Sequence, residues 1–264
     1  MYKPMKINIA GIQIDKYSFD EVVERIMNTA LSNDAPEYVV TPNAQHVLTL
    51  QKDARFREIY RKAFLVVPDG VSLLWAAKFL QTPLQGRVNG TDLFESLCSI
   101  AAEKGLKIFL LGGRPGAADK AAEILQARYP DLNIVGTYCP PYGFESNPVE
   151  LALINAKIKA AAPHILFVGL GAPKQENWIY NNYQQLGVPI SIGIGVSFEL
   201  VAGMVKRAPV WMQKRGLEWL FRLIVEPYRL WQRYIIGNPL FIWLIIKQKL
   251  GLSKKFQSRI KLNV

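Results

Sequence analysis

From Ile7 to Gly195 the sequence alternates short apolar runs with stretches of helical period. No other feature narrows the fold as much. The runs are INIAGIQI (7–14), EYVV (37–40), FLVV (64–67), KIFLLG (107–112), NIVGTY (133–138), HILFVGL (164–170) and ISIGIG (190–195). Between them lie segments such as FDEVVERIMNTAL, TDLFESLCSIAAEKG and AADKAAEILQARYP. Strand-length runs joined by helix-length crossovers predict an α/β fold built on a Rossmann-like, mainly parallel sheet. Ligands of such sheets bind at the carboxyl ends of the strands.

Charge divides the chain. Residues 1–203 hold 19 Lys and Arg against 19 Asp and Glu, whereas residues 204–264 hold 13 against 2. The whole net charge of +11 therefore resides in the last 61 residues. Four of the six tryptophans lie there too: Trp211, Trp219, Trp231 and Trp243. We place a boundary at residue 203, between an α/β catalytic domain (1–203) and a basic, Trp-rich helical appendage (204–264). Pro209, Pro227 and Pro239 are expected to break the appendage into helices. Arg215, Arg222 and Arg229 recur every seven residues, with Arg233 four further on, and share an approximate face. Cations mixed with tryptophan suggest a membrane surface before nucleic acid. Packing of the same apolar face on the body or on another copy of the chain is the competing reading.

Two cysteines, Cys98 and Cys139, form no metal or redox motif, which fits a reduced cytosolic protein. The N-terminus has no signal-peptide apolar region, and no apolar run reaches the roughly 18 residues of a membrane span. No Asp-x-Asp occurs, and the GLGAPKQ stretch has Lys174 where a dinucleotide fingerprint needs its third glycine. A nicotinamide or flavin enzyme is disfavoured. No cofactor and no metal is expected, and His46 and His164 read as structural.

The chemistry-bearing residues follow the strands: TPNAQH (41–46), PDG (68–70), GGRPG (112–116), GAPKQE (171–176) and GVSFE (195–199). GRVNGTD (86–92) opens a helix, with Thr91 or Asp92 near its cap. Singly, each has a bland reading. Asp69 reads as a cap for the helix VSLLWAAKFL, Arg87 as a surface ion pair, and Thr41 and Asn43 as turn residues. Gly112 and Gly113 suit either a phosphate bed or a tight turn. Lys174 and Gln175 suit either a diphosphate or a helix start.

Together, in this order and spacing, and with KRAPVWMQKRGLEWLFRLIVEPYRLWQRY following, these stretches resemble the WecG/TagA/CpsF family of glycosyltransferases. The resemblance runs from about residue 7 to 250. It implies transfer of a sugar from a UDP-sugar to a polyprenyl-diphosphate-linked sugar, with inversion and without metal, at the cytoplasmic face of the plasma membrane. It implies that Asp69 is the general base and that Thr41, Asn43, Arg87 and Gln175 line its pocket. Arg207, Arg215, Arg222, Arg229 and Arg233 are then the appendage cations that close over the diphosphate. Lys174 and the Gly112–Gly113 turn add further donors. The partners implied are the UDP-sugar, the lipid-linked acceptor and a membrane surface, with a homo-oligomer possible and nucleic acid excluded. Ser72 stands where many relatives have a second glycine. The family spans donors including UDP-N-acetylmannosamine, its uronic acid and UDP-glucose. The first, transferred to undecaprenyl-diphosphate N-acetylglucosamine in wall teichoic acid synthesis, is the leading reading.

Overall fold

A computed structural model describes residues 6–32 and 34–252. Its centre is a six-stranded, all-parallel sheet. The strands are β3 (Glu37–Val40), β4 (Leu65–Val66), β5 (Lys107–Gly112), β6 (Asn133–Tyr138), β7 (Ile165–Gly169) and β8 (Ile190–Gly193), in the spatial order β4-β3-β8-β7-β5-β6. β1 (Lys6–Ile9) and β2 (Ile12–Asp15) form a separate antiparallel hairpin. INIAGIQI is thus not one strand, because the chain reverses at Ala10-Gly11, both with positive φ.

Alternation along the strands sorts their side chains into two cores, as a pleated sheet covered on both faces requires. Tyr38, Val40, Phe109, Leu111, Leu166 and Val168 face one core. Val39, Ile108, Leu110, Ile165, Phe167 and Ile192 face the other. The second core is closed by helices Phe19–Leu31, Gly90–Glu103 and Ala117–Arg128. The first is closed by helices Ala44–Lys52, Ala54–Lys62, Pro148–Ala161 and Lys174–Leu186.

FLVV contributes only two residues of strand. Pro68 ends the run, and β4 sits at the sheet edge. The Val66 N–H on that edge donates to Asp15 Oδ2 at 2.8 Å. An inward carboxylate there satisfies an edge donor and blocks further strand addition.

Between residues 210 and 249 the chain is mainly helical: Val210–Lys214, Glu218–Val225, Pro227–Trp231, a π-helical turn at Gln232–Ile236, and Gly237–Lys249. Pro239 does not break this stretch. Its ring would clash with the carbonyl four residues back in a regular α-helix, and the wider π turn lies directly before it. Phe241 and Ile245 of the last helix belong to the first core. Gln248 fastens its end to the hairpin, accepting from Ala10 N (2.6 Å) and donating to Asn8 O (2.8 Å). The appendage therefore packs on the body through one face. The other face leaves Ile224, Tyr228 and Trp243 exposed at 69%, 96% and 52%. No helix among the described residues is long and apolar enough to cross a membrane.

Candidate active site

Two cavities open above the carboxyl ends of β4, β3, β8 and β7. One, of about 420 Å³, is the more polar of the two and lies over β3 and β8, between the 171–175 turn, the 194–197 turn and the appendage arginines. The other, of about 620 Å³, is mostly apolar. It runs between helix Val71–Phe79 and helix Gly237–Lys249, with Trp75, Phe79, Ile242, Ile245 and Ile246 on its walls. Seven residues line both: Asn43, Gln45, Asp69, Asn89, Glu218, Arg222 and Arg233. Asp69 is at this junction.

Local backbone chemistry fixes the junction. Three helices begin here. Asn43 caps helix Ala44–Lys52 and Asn89 caps helix Gly90–Glu103, each accepting main-chain N–H groups through its side chain. The third, Val71–Phe79, starts at Gly70 without a side-chain cap. Asp69 is therefore not the cap of its own helix. Its Oδ1 instead accepts from Gly90 N across the junction at 3.1 Å. Three helix N-termini turned to one point favour an anion there.

Gly70 explains the glycine of PDG. A Cβ at this position would lie 2.9 Å from Asn43 Cβ and 3.1 Å from Asn43 Cα. Both atoms are anchored by the β3 end, so neither can yield. Only glycine lets the Asp69 turn lie against the Asn43 turn. Gly70→Ala is expected to cost about 1–3 kcal/mol of stability, measured by denaturant unfolding, and to lower activity further by displacing Asp69.

Electrostatics at the junction are unbalanced. Burial pushes the Asp69 carboxyl above the ordinary carboxylate range. Arg87 and the Gly90 amide oppose that, while Glu218 adds to it. Part of the Asp69 side chain nevertheless remains open to the cavities. Arg233, on the π turn, is disfavoured as a cation by its burial and by Arg222 and Arg229. Tyr234 and Asp69 favour it. Arg207 and Arg229 approach from the polar side. A cluster of guanidiniums facing two carboxylates is relieved by an added anion.

Behind the polar cavity a buried network sets its floor. Thr41 Oγ1 donates to Gly193 O (3.0 Å), tying the ends of β3 and β8. Gln175 accepts from Gly195 N (3.0 Å) and donates to Glu176 Oε1 (2.9 Å). His46 Nδ1 accepts from Asn43 N (2.9 Å), which leaves its proton on Nε2, 3.6 Å from Glu176 Oε1. Burial lowers the His46 pKa to about 3, so this approach is not an ion pair. Burial raises Glu176 to about 7. The native state thus holds the Glu176 proton where the unfolded chain has already lost it. Stability falls as pH rises from the ordinary carboxylate value to about 7, then levels off. The loss is about 3 kcal/mol, and Glu176→Gln is expected to flatten that part of the stability profile between pH 5 and 8.

Nine sequence-predicted residues meet at the cavities: Thr41, Asn43, Asp69, Arg87, Gln175, Arg207, Arg222, Arg229 and Arg233. Four do not line either. Gly112 and Gly113 lie at the packed end of β5, outside both cavities. Gly112, at φ +101°, lets β5 approach β7, since a Cβ there would lie 2.8 Å from Gly169 O. The Gly113 and Arg114 amides are already spent on Gly169 O and Glu199 Oε1. Lys174 points away and pairs with Glu145 at 2.5 Å. Arg215 ends the short helix Val210–Lys214 and stacks over Trp211. Sequence reasoning passed over Gln45, Asn89 and Glu218. Asn89 was legible as the cap of GRVNGTD, and Glu218 as one of two acids in a basic segment.

The model of the glycosyl transferase WecG/TagA/CpsF family matches residues 7–255. The chain belongs to this family, and it is a glycosyltransferase. Among curated relatives, the N-acetylglucosaminyldiphosphoundecaprenol N-acetyl-beta-D-mannosaminyltransferase of Staphylococcus aureus (strain NCTC 8325 / PS 47) is 31% identical over 255 residues, 94% of this chain and 95% of the relative. The protein of the same name from strain MRSA252 is 30% identical over the same span. The family match includes the appendage through helix Gly237–Lys249, so both cavities lie within it.

Proposed function

We propose that this glycosyltransferase moves a sugar, with N-acetylmannosamine the first choice, from a UDP-sugar to undecaprenyl-diphosphate-linked N-acetylglucosamine, with inversion and without metal. One observation carries the reading: an arginine-rimmed cavity and an apolar groove meet at Asp69, the junction carboxylate that is not ion-paired to an arginine among the described residues, beside the paired Glu218. The polar cavity suits a nucleotide diphosphate. The groove, lined by Trp75, Phe79 and Ile242, suits a prenyl chain. The names of the relatives support the acceptor and the sugar.

In this reading the acceptor hydroxyl enters the junction beside Asp69. It attacks the anomeric carbon from the side opposite the leaving UDP, and its proton passes to Asp69. Charge builds on the departing diphosphate. Arg222, Arg229 and Arg233 lie where that charge develops, with the N-termini of helices Ala44–Lys52 and Gly90–Glu103 adding partial positive charge. The exposed tryptophans and isoleucines of the appendage, interleaved with cations, rest on the inner face of the plasma membrane. Each cation near an anionic surface contributes about 1 kcal/mol. That places the acceptor diphosphate, held at the headgroup level, within reach of the groove.

The test is a donor panel: purified protein, a short-chain prenyl-diphosphate N-acetylglucosamine, several UDP-sugars and EDTA, with the lipid product weighed by mass spectrometry. A gain of one N-acetylhexosamine is expected. A hexose or uronic acid gain redirects the donor to glucose or N-acetylmannosaminuronic acid. No gain from folded protein contradicts the proposal.

A further inference from the structure

The appendage carries thirteen basic residues and only two acids, Glu218 and Glu226, and both acids turn to arginines of the body. Glu226 Oε1 lies 3.4 Å from Arg114 Nη2 at the rim. Glu218 is more deeply placed. Its Oε2 accepts from Arg87 Nη2 at 2.7 Å, its Oε1 lies 4.0 Å from Arg207 Nε, and its side chain lines both cavities. The side chains of Arg87 and Glu218 are only 19% and 16% exposed. Arg87 Nε and Arg207 Nε are buried and have no hydrogen-bond partner among the described residues.

One carboxylate thus sits between two guanidiniums that each retain an unused, desolvated Nε donor, while Arg207 Nη2 is held at 2.5 Å by Asp92 Oδ1 on the outer side. A buried donor without a partner is costly. A diphosphate, with more oxygens and more charge than a carboxylate, engages both forks more completely. It also meets Arg222 and Arg233 at the same junction. Glu218 therefore occupies a position for which a phosphate is the better ligand.

We propose that Glu218 is an internal stand-in for the substrate diphosphate, holding Arg87 directly, and Arg207 together with Asp92, until the diphosphate displaces it. This rests on the diphosphate reading above. Before binding, the carboxylate keeps two like charges from repelling one another and keeps Arg87 from closing onto Asp69. On binding, the guanidiniums pass from Glu218 to phosphate oxygens. Glu218 is a positioning residue acting through the arginines, and its charge weakens diphosphate binding by competing for them. Either the nucleotide or the lipid acceptor can supply the diphosphate.

The sign of one substitution tests this. In the full-length protein, Glu218→Gln keeps size and shape and removes the competing charge. Calorimetric titration at low salt would use UDP in one arm and a short-chain prenyl diphosphate in the other. The proposal expects binding about 10-fold tighter in at least one arm, and the arm that gains names the source. Turnover should show a lower KM without a rise in kcat, since product is also held more firmly. A residue that merely braces the cleft predicts the reverse, a higher KM and weaker binding. If Glu218→Gln does not fold, Glu218→Asp, which keeps the charge but shortens its reach, should tighten binding by about two- to threefold. Unchanged or weaker binding in the variant, with the wild type binding normally, overturns the stand-in role alone. Failure of the wild type to bind either probe contradicts the diphosphate reading and the inference with it.

Discussion

Asp69→Asn is expected to lower turnover by about 10²–10⁴-fold and to leave the fold intact. Asparagine keeps the side-chain volume, and its carbonyl oxygen can still accept from Gly90 N as Asp69 Oδ1 does. What it loses is the ability to take a proton. The variant is also expected to be at least as stable as the wild type at neutral pH. Burial raises the Asp69 pKa above its unfolded value. Ionising Asp69 in the native state therefore costs stability as pH climbs from the unfolded value through the folded one. Removing the ionisable group removes that cost. A protein that is inactive yet no less stable is the signature of a site built against its own stability. The same shift sets the acid limb of activity. A base with a raised pKa is protonated at a higher pH than an ordinary carboxylate, so as pH is lowered kcat/KM should begin to fall earlier than an ordinary carboxylate base would allow. Steady-state kinetics and denaturant unfolding on the two proteins check both statements. Near-normal turnover in Asp69→Asn would remove Asp69 as the base.

Arg233→Gln is expected to reduce kcat by about 10²–10³-fold, the range seen when one donor to a developing anion is deleted. Arg233 lines both cavities, and burial and neighbouring arginines work against its charge, while Asp69 and Tyr234 favour it. It is therefore a cation held ready for an anion. Arg215 is the internal control. It lies on the same appendage but outside both cavities, stacked over Trp211. Arg215→Gln should leave kcat within about twofold, since surface charge changes usually shift energies by a few tenths of a kcal/mol. Equal losses in the two variants would mean that the appendage arginines act collectively through charge rather than through position.

What the sequence revealed, and what it concealed, divides along one physical line. Strand order depends on long-range pairing, but the site did not need it. TPN, PDG, GAPKQE and GVSFE each follow a strand, and a parallel sheet sends all such ends to one edge. The cleft was legible for that reason. The features missed depend on a partner distant in sequence. Lys174 was drawn away by Glu145, 29 residues earlier. Gly112 is needed because β7 passes close by, 57 residues later. The π turn before Pro239 relieves a backbone clash that composition cannot register. Glu218 was passed over for the opposite reason: its segment was read for its thirteen basic residues, and its two acids entered only as a count. Helix caps occupied an intermediate position. Asn43 was legible as a turn residue before its helix, and the cap of GRVNGTD was placed two or three residues late, at Thr91 or Asp92 instead of Asn89, whereas Asp69 looked like a cap and instead bonds across the junction to a helix 21 residues on.

The central claim is that donor and acceptor occupy separate cavities that meet at Asp69. Its most direct test is photocrosslinking with a short-chain prenyl-diphosphate N-acetylglucosamine carrying a diazirine on the prenyl chain, followed by peptide mapping. The account predicts labels on helix Val71–Phe79 and helix Gly237–Lys249, at Trp75, Phe79, Ile242 or Ile246, that persist when UDP is added in excess. Labels confined to the 171–175 and 194–197 turns, and abolished by UDP, would place the lipid in the polar cavity and contradict it.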